Sequence, residues 1–319
     1  MTIIANTFQQ FQAIGVREDL SDIIYNVAPT ECPFLQNAAR GKVQNTFFEW
    51  QTDTLASAVT TNQQIEGDDI SSFDAVTPTV RLGNYTNIAR KTVIISDTEE
   101  VVDKAGRKSE ISYQLAKKGK ELKRDMETAL TANVGASAGS TSAARVTGSI
   151  LAFIKTNTDK GAGGSDPSYT STPTGTRTDG TQRSFTESIL KNVIQLAWTQ
   201  GGNPKTLMVG ALGKQVTSGF SGIAEKIMQQ TSPEVTAIIG AADAYVSDFG
   251  TLAVVPNRFM RSRDGLVLDW DFIQVDYLRP FKQEPLAKTG DAEKRMLIVE
   301  FGLRVKNEKA LGLVADLTP

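Results

Sequence analysis

Residues 43–50 (VQNTFFEW) and 76–95 (VTPTVRLGNYTNIARKTVII) are rich in Val, Ile, Thr and aromatic side chains, the composition of β-strands. Between them, residues 51–75 form a polar run of Thr, Asn, Gln, Asp and Ser, with Gly67 near its middle. This order predicts a long two-stranded hairpin with a broad tip. An isolated ribbon is marginal in water, and this one has too few alternating hydrophobes to be a domain. It needs a surface to lie on, either its own body or another copy.

The segment before it, residues 1–40, reads as an arm, because its few apolar residues cannot close a core. Ile14, Val16, Leu20, Ile23, Ile24 and Val27 predict one short amphipathic helix around residues 17–25, broken by Pro29 and Pro33. The segment after it, residues 97–133, predicts the clearest helix. Ile111, Leu115, Gly119, Leu122, Met126, Ala129 and Leu130 fall on one stripe at helical spacing, with lysines, arginines and acids on the other faces. Gly119 on that stripe costs roughly 1 kcal/mol relative to alanine, so a close backbone neighbour is expected there.

Residues 133–148 and 156–183 are Gly/Ser/Thr-rich and bracket the apolar segment 150–154. Loops or a surface insertion are expected. Ser184-Phe185-Thr186-Glu187 matches a capping box, opening a helix that carries Ile189, Leu190, Val193, Ile194 and Ala197 and ends at Gly201-Gly202 and Pro204. Residues 206–209, 252–255 and 266–278 read as strands, the last followed by Pro280 and Pro285. Val299, Phe301, Leu303 and Val305 alternate with Glu300, Gly302, Arg304 and Lys306, a half-buried strand. Asn307-Glu308-Lys309 turns the chain and residues 310–317 return. The architecture predicted is α+β, one long helix against antiparallel sheet.

Composition narrows the chemistry. Histidine is absent, which removes Ser-His-Asp and Cys-His catalysis and the H-E-x-x-H zinc site. The single cysteine, Cys32, allows no internal disulfide and has no nearby basic residue in sequence to activate it, so an inert thiol is expected. With 34 basic and 36 acidic residues the formal net charge is −2, against a dedicated reader of DNA sequence. No run approaches the ~18 apolar residues that span a bilayer. The first residues lack the pattern of a secretory signal, so synthesis in the cytoplasm is expected.

The motif candidates are weak. Gly161-Ala162-Gly163-Gly164 lacks the Lys-Ser/Thr and the preceding strand of a phosphate cradle, and Gly213-Lys214-Gln215 fails the same test because Met208 and Gln215 occupy required positions. Asp269, Asp271 and Asp276 form the densest carboxylate group and read as a solvated strand face. Asp68-Asp69 gets the same reading. Asn84-Tyr85-Thr86 fits a glycosylation triplet but is idle without secretion. Trp50, Trp198 and Trp270 read as packing residues. No catalytic, cofactor-binding or metal-ligating residue is assigned.

The order of parts, together with Phe48-Glu49-Trp50-Gln51-Thr52-Asp53-Thr54-Leu55-Ala56, Ile65-Glu66-Gly67, Leu286-Ala287-Lys288-Thr289-Gly290-Asp291-Ala292 and Val305-Lys306-Asn307-Glu308-Lys309-Ala310, resembles the major capsid proteins of tailed bacteriophages, whose fold is shared with the herpesvirus capsid floor. The resemblance implies an N-terminal arm (1–40), an extended β-hairpin loop (41–96), a peripheral domain with a long spine helix (97–150), an axial domain (151–272) and peripheral return strands (273–319). It implies a structural virion protein without enzymatic activity or cofactor. Its copies would form hexamers and pentamers of an icosahedral or prolate head, made in the host cytoplasm. A scaffolding protein, a portal and DNA packaged without sequence specificity are the implied partners, and no membrane is. No delta-like domain precedes the arm, so the scaffold is expected to be a separate protein. Some members crosslink through a lysine of the extended loop. No lysine lies between Val43 and Arg90, so no such bond is expected. A tail-tube or head-decoration protein is the alternative. The face turned to DNA should carry modest positive potential.

Overall fold

The computed structural model describes residues 31–67, 69, 73–103, 106, 108–220 and 243–318. The expected arm helix around residues 17–25 lies outside them. In chain order the elements are α1 (Pro33–Asn37), β1 (Ala39–Lys42), β2 (Phe47–Thr52), β3 (Val80–Tyr85), β4 (Asn87–Ser96), α2 (Asp97–Val101), α3 (Glu110–Thr131), α4 (Ile150–Phe153) and β5 (Thr158–Asp159). Then come α5 (Glu187–Thr199), β6 (Thr206–Val209), α6 (Ala211–Thr217), β7 (Ala244–Ser247), β8 (Gly250–Pro256), β9 (Gly265–Leu268), β10 (Ile273–Pro285), β11 (Ala292–Val305) and β12 (Gly312–Val314).

The alternating apolar residues of β11 are the centre of the first core. Val299, Phe301, Leu303 and Val305 are all fully buried. β11 pairs antiparallel with β10 on one side and β4 on the other, and β1 joins β10 in parallel, giving the order β1-β10-β11-β4. Helix α3 lies across this sheet because Leu122, Met126 and Leu130 share its buried stripe. At its N-terminal end, Ile111 and Leu115 close against Val93 and Ile95 of β4.

A second sheet runs β5-β12-β9-β6-β8-β7. Its central strands β6 and β9 are buried at every position, so they read as unbroken apolar runs. One face, with Met208, Leu266 and Leu268, continues the first core. The other, with Leu207, Val209 and Val267, packs against Leu190, Val193 and Ile194 of α5. Among the described residues no helix is long and apolar enough to cross a membrane.

Several local expectations need correction. The helix expected over 97–133 is two, α2 and α3, each started by a serine: Ser96 accepts from Glu99 N and Ser109 from Ser112 N. Thr186, not Ser184, is the N-cap of α5, and its side chain makes no cap hydrogen bond. Pro33 opens α1 at its first turn, where a missing N–H costs nothing. Residues 266–278 are split by a 3-10 turn at Trp270–Phe272, and β10 runs on through Pro280, where shifts of register between Tyr277, Arg279 and Lys282 accommodate a residue that cannot donate. The expected strand over 76–95 breaks at Thr86, so β3 and β4 belong to different sheets. Gly119 has no close neighbour: a Cβ built there meets nothing within 4 Å.

Open space at Gly119 leads to a direct test. Gly119→Ala should stabilise the unassembled subunit by about 1 kcal/mol through helix propensity alone, read by denaturant unfolding. Destabilisation would mean that a neighbour missing here occupies the site.

Candidate assembly interface

Strands β2 and β3 pair with each other over six residues, Phe47↔Tyr85 to Thr52↔Val80, and with no other strand. Their base is fastened to the body by aromatic and polar contacts. Phe48 is buried against the first sheet, stacked on Trp50 at 5.9 Å, and Trp50 meets Phe153 at 6.0 Å. The guanidinium of Arg304 lies over both rings, 5.5 Å from Phe48 and 5.6 Å from Trp50. Phe48 can sit there because position 302 is glycine, where a Cβ would lie 2.5 Å from its ring.

Asn84 is the polar hub of this base. Its amide donates to Leu303 O (2.7 Å), Thr147 Oγ1 (3.1 Å) and Gly148 O (3.2 Å), and its carbonyl accepts from Gly148 N and Tyr85 N, both at 2.8 Å. It is fully buried, so the glycosylation triplet is a structural joint. Beside it the buried carboxylate of Glu300 takes the Thr86 hydroxyl (2.9 Å), Arg279 (2.8 Å) and Arg145. These contacts hold the chain where it crosses from ribbon to sheet.

Beyond Thr52 the chain leaves the ladder. From 53 to 79 the described residues form no strand, and their apolar side chains face solvent: Leu55 is 99% exposed, Val76 93%, Phe73 89%, Ile65 81% and Val59 68%. The expected long hairpin is therefore a short ribbon carrying a wide exposed loop. Burying those five side chains gains on the order of 10 kcal/mol at ~2 kcal/mol each. That is comparable to the ~4–15 kcal/mol that association costs, so the loop needs help from other faces. Such help is present at the end of β4 and α2, where Ile94, Val101 and Val102 are exposed, and on β10 at Phe281.

Most of the candidate chemical groups are spent internally, although Asp271 is exposed, as read. Asp276 is fully buried, paired with Arg304 at 2.6 Å and hydrogen-bonded by Gln274, and Asp269 is a buried cap accepting from Asp271 N. The solvated-face reading is wrong for both, because their partners come from β11 and from a local turn. The loop at Gly161–Gly164 cradles the chain's own Asp316, which accepts from Gly161 N (3.0 Å), Gly180 N (2.9 Å) and Arg263 (2.8 Å). Burial pushes that carboxyl up, but these donors outweigh it and hold it below the usual range. Glu127 accepts from Phe34 N, Leu35 N and Asn257, capping α1 from α3, and burial still raises it. Glu308 accepts from Lys155 N, Thr156 N and the Thr156 hydroxyl.

Burial pushes the Cys32 thiol up to about 11, the Glu127 charge adding to this and Lys123 and Arg124 failing to offset it. An inert thiol follows. Lys214 reaches Asp243 and Val254 O. Trp270 is edge-on to Phe34, whereas Trp198 packs on Phe249 and remains half exposed. Asp69 is exposed, and Asp68 lies outside the described residues. Among the described residues no group of acids and Cys32 is placed to hold a metal. What the subunit offers outward is apolar surface on a fastened ribbon.

Comparison with known proteins agrees with that geometry. The family model described as SU10 major capsid protein matches residues 3–318. The curated major capsid protein of Escherichia phage Phieco32 is 27% identical over 343 residues, 96% of each chain. Among solved structures, the cyanophage A-1(L) capsid asymmetric unit superposes with a TM-score of 0.66 at 11% identity, covering 95% of this chain and 98% of that one. The capsid of a native GTA particle gives 0.62 at 11% identity over 97% and 98%. The last two likenesses concern fold alone.

Two outcomes are expected, one at this base and one near β9. Asn84→Ala strands several buried partners and should cost about 2–4 kcal/mol in unfolding free energy; a cost near zero would remove the hub role. The second concerns Asp264, which burial lifts to about 6 although Arg261, Arg177 and Arg263 face it. A carboxyl raised above its unfolded value binds its proton first in the folded state. Its stabilising contribution is therefore present below about 4 and is lost as pH rises through about 6. Asp264→Asn removes that loss, so the Tm of the variant relative to the parent should rise from pH 4 to pH 6, and a constant difference would contradict this.

Proposed function

The chain belongs to the SU10 major capsid protein family, and from that premise we propose how its parts close the head shell of a tailed phage. It is a structural protein of the virion whose copies associate into a capsid. The finer reading is that subunits join as hexamers and pentamers through contacts that close on themselves, in an icosahedral or prolate head. The observation carrying it is the loop on β2–β3. Its base is locked to the body, and Leu55, Val59, Ile65, Phe73 and Val76 stand in solvent. A neighbouring copy supplies the cover this subunit does not.

In this reading residues 1–40 are the arm, 41–96 the extended loop, 97–150 and 273–319 the peripheral domain built on α3 and the long strands, and 151–272 the axial domain. Assembly takes place in the host cytoplasm with a scaffolding protein and a portal. DNA is held through its phosphates, without base readout. The protein carries no catalysis of its own, in keeping with carboxylates that are consumed by internal pairs.

Overexpression with and without a candidate scaffold, followed by light scattering and negative-stain imaging, tests the reading. Shells or ring-shaped capsomers are expected; filaments, or a compact monomer at high concentration, would contradict it. Because no lysine lies between Val43 and Arg90, boiled mature heads should run in SDS as single chains. A ladder of covalent oligomers would contradict that part.

A further inference from the structure

The glycine-rich loop at residues 161–164 lacks the marks of a phosphate cradle, yet it does hold an oxyanion, the carboxylate of Asp316. Asp316 is fully buried, and the donors to its carboxylate come from distant segments. Gly161 N donates to one oxygen (3.0 Å), while Gly180 N (2.9 Å) and the Arg263 guanidinium (2.8 Å) donate to the other, from 155, 136 and 53 residues away. Backbone N–H groups converging on one carboxylate and closed by a guanidinium make an anion-binding concavity. The fit is close. A Cβ at Gly164 or at Gly180 would lie 2.9 Å from the same carboxylate oxygen.

Two further observations mark this cradle as a receptor. The guanidinium of Arg177 is fully buried, and its charge bears on the Asp316 carboxylate. Its Nε and Nη groups have no hydrogen-bond acceptor among the described residues, and its ion pair with Asp166 is a loose 3.3 Å. A guanidinium at this depth needs anionic charge beside it. Asp316 also stands at φ 60°, the one non-glycine residue at positive φ among the described residues. L side chains avoid that conformation, so the seat holds Asp316 where backbone preference alone would place glycine.

We propose that Gly161, Gly180 and Arg263, with the charge of Arg177, form a carboxylate receptor whose built-in ligand, Asp316, latches the return segment to the loop between β5 and α5. Residues 160–186 contain no helix or strand, and a loop of that length needs fastening to be ordered. Around the latch the backbone is stitched as well. Arg183 N donates to Asp316 O (2.8 Å), Thr318 N to Arg183 O (2.9 Å) and Leu317 N to Arg263 O (2.8 Å). Asp316 reaches its donors through a single methylene, so a free carboxylate of the same size fits the place once the side chain is removed.

Asp316→Gly deletes the ligand, suits the backbone at φ 60°, and leaves room for acetate, the same carboxylate carried on a methyl group. The full-length unassembled subunit and this variant are unfolded by heat at neutral pH, in sodium chloride and in sodium acetate of equal ionic strength. In chloride the variant should melt several degrees below the parent, with several-fold faster amide exchange over residues 160–166 and 177–183. Acetate should raise the variant's Tm progressively with concentration, as a ligand of the folded state does, and slow exchange in those two stretches. The parent should show only the general effect of the salt. An equal acetate response in variant and parent, or a variant as stable as the parent in chloride, overturns the proposal. Should Asp316→Gly give no folded protein, its refolding yield is compared in the two salts, and a yield that acetate does not raise overturns the proposal equally. Asp316→Asn fills the place without the charge, so it should melt below the parent and ignore acetate. Rescue of Asp316→Asn equal to that of Asp316→Gly would put acetate elsewhere on the molecule and also overturn the proposal.

Discussion

The ring of Phe48 lies against the bare backbone of Gly302 and beneath the guanidinium of Arg304, and the outward reach of the subunit depends on that seat. A two-stranded ribbon has no sheet of its own to stabilise it. Here its root borrows the buried C-terminal half of β11. Asn84 then ties β3 to Leu303 of the same strand, and Glu300 with Arg145 fixes the turn into β4. The described residues of the loop stand clear of the body while its root is fastened to it.

The same strand explains why so much charge is buried near the joint. Asp276 and Glu300 are buried beside the joint, half-buried Arg304 lies over the ribbon's aromatic rings, and each is matched by an opposite charge. Buried pairs of this kind contribute little net stability, whereas removing one partner is costly. Their effect is positional: they leave one orientation of the ribbon with every charge satisfied. A shell built from many identical copies needs that single orientation.

The parts legible in the sequence were those whose signals are local. The stripe of Leu122, Met126 and Leu130 and the inward set Val299, Phe301, Leu303 and Val305 each follow from one segment's burial and are present as read, although Glu300 and Gly302, expected on the outer face, are buried as well. The resemblance of residues 48–56 to capsid proteins pointed to the stretch that became the ribbon root. Less legible were the breaks at Thr86 and Asp269, since a strand-forming composition continues across both; the first is fixed by Glu300 far along the chain and the second by a local turn capped by Asp269. The burial of Asp276 depends on Arg304, and that of Glu300 on Arg145, 155 residues away. Gly302 looked like one outward position in an alternation, and only the seated Phe48 gives its reason. Gly119 misled in the opposite sense, since its neighbour was inferred from a stripe whose middle is open.

The claim on which the account turns is that the loop from 53 to 79 finds its cover on another copy. Hydrogen exchange of residues 53–67 and 73–79, measured on the unassembled subunit and on assembled heads, tests it most directly. Exchange close to the unprotected rate in the subunit and strong protection in the heads is the predicted result. Equal protection in both states would show that the loop shelters on its own body, and would contradict the account.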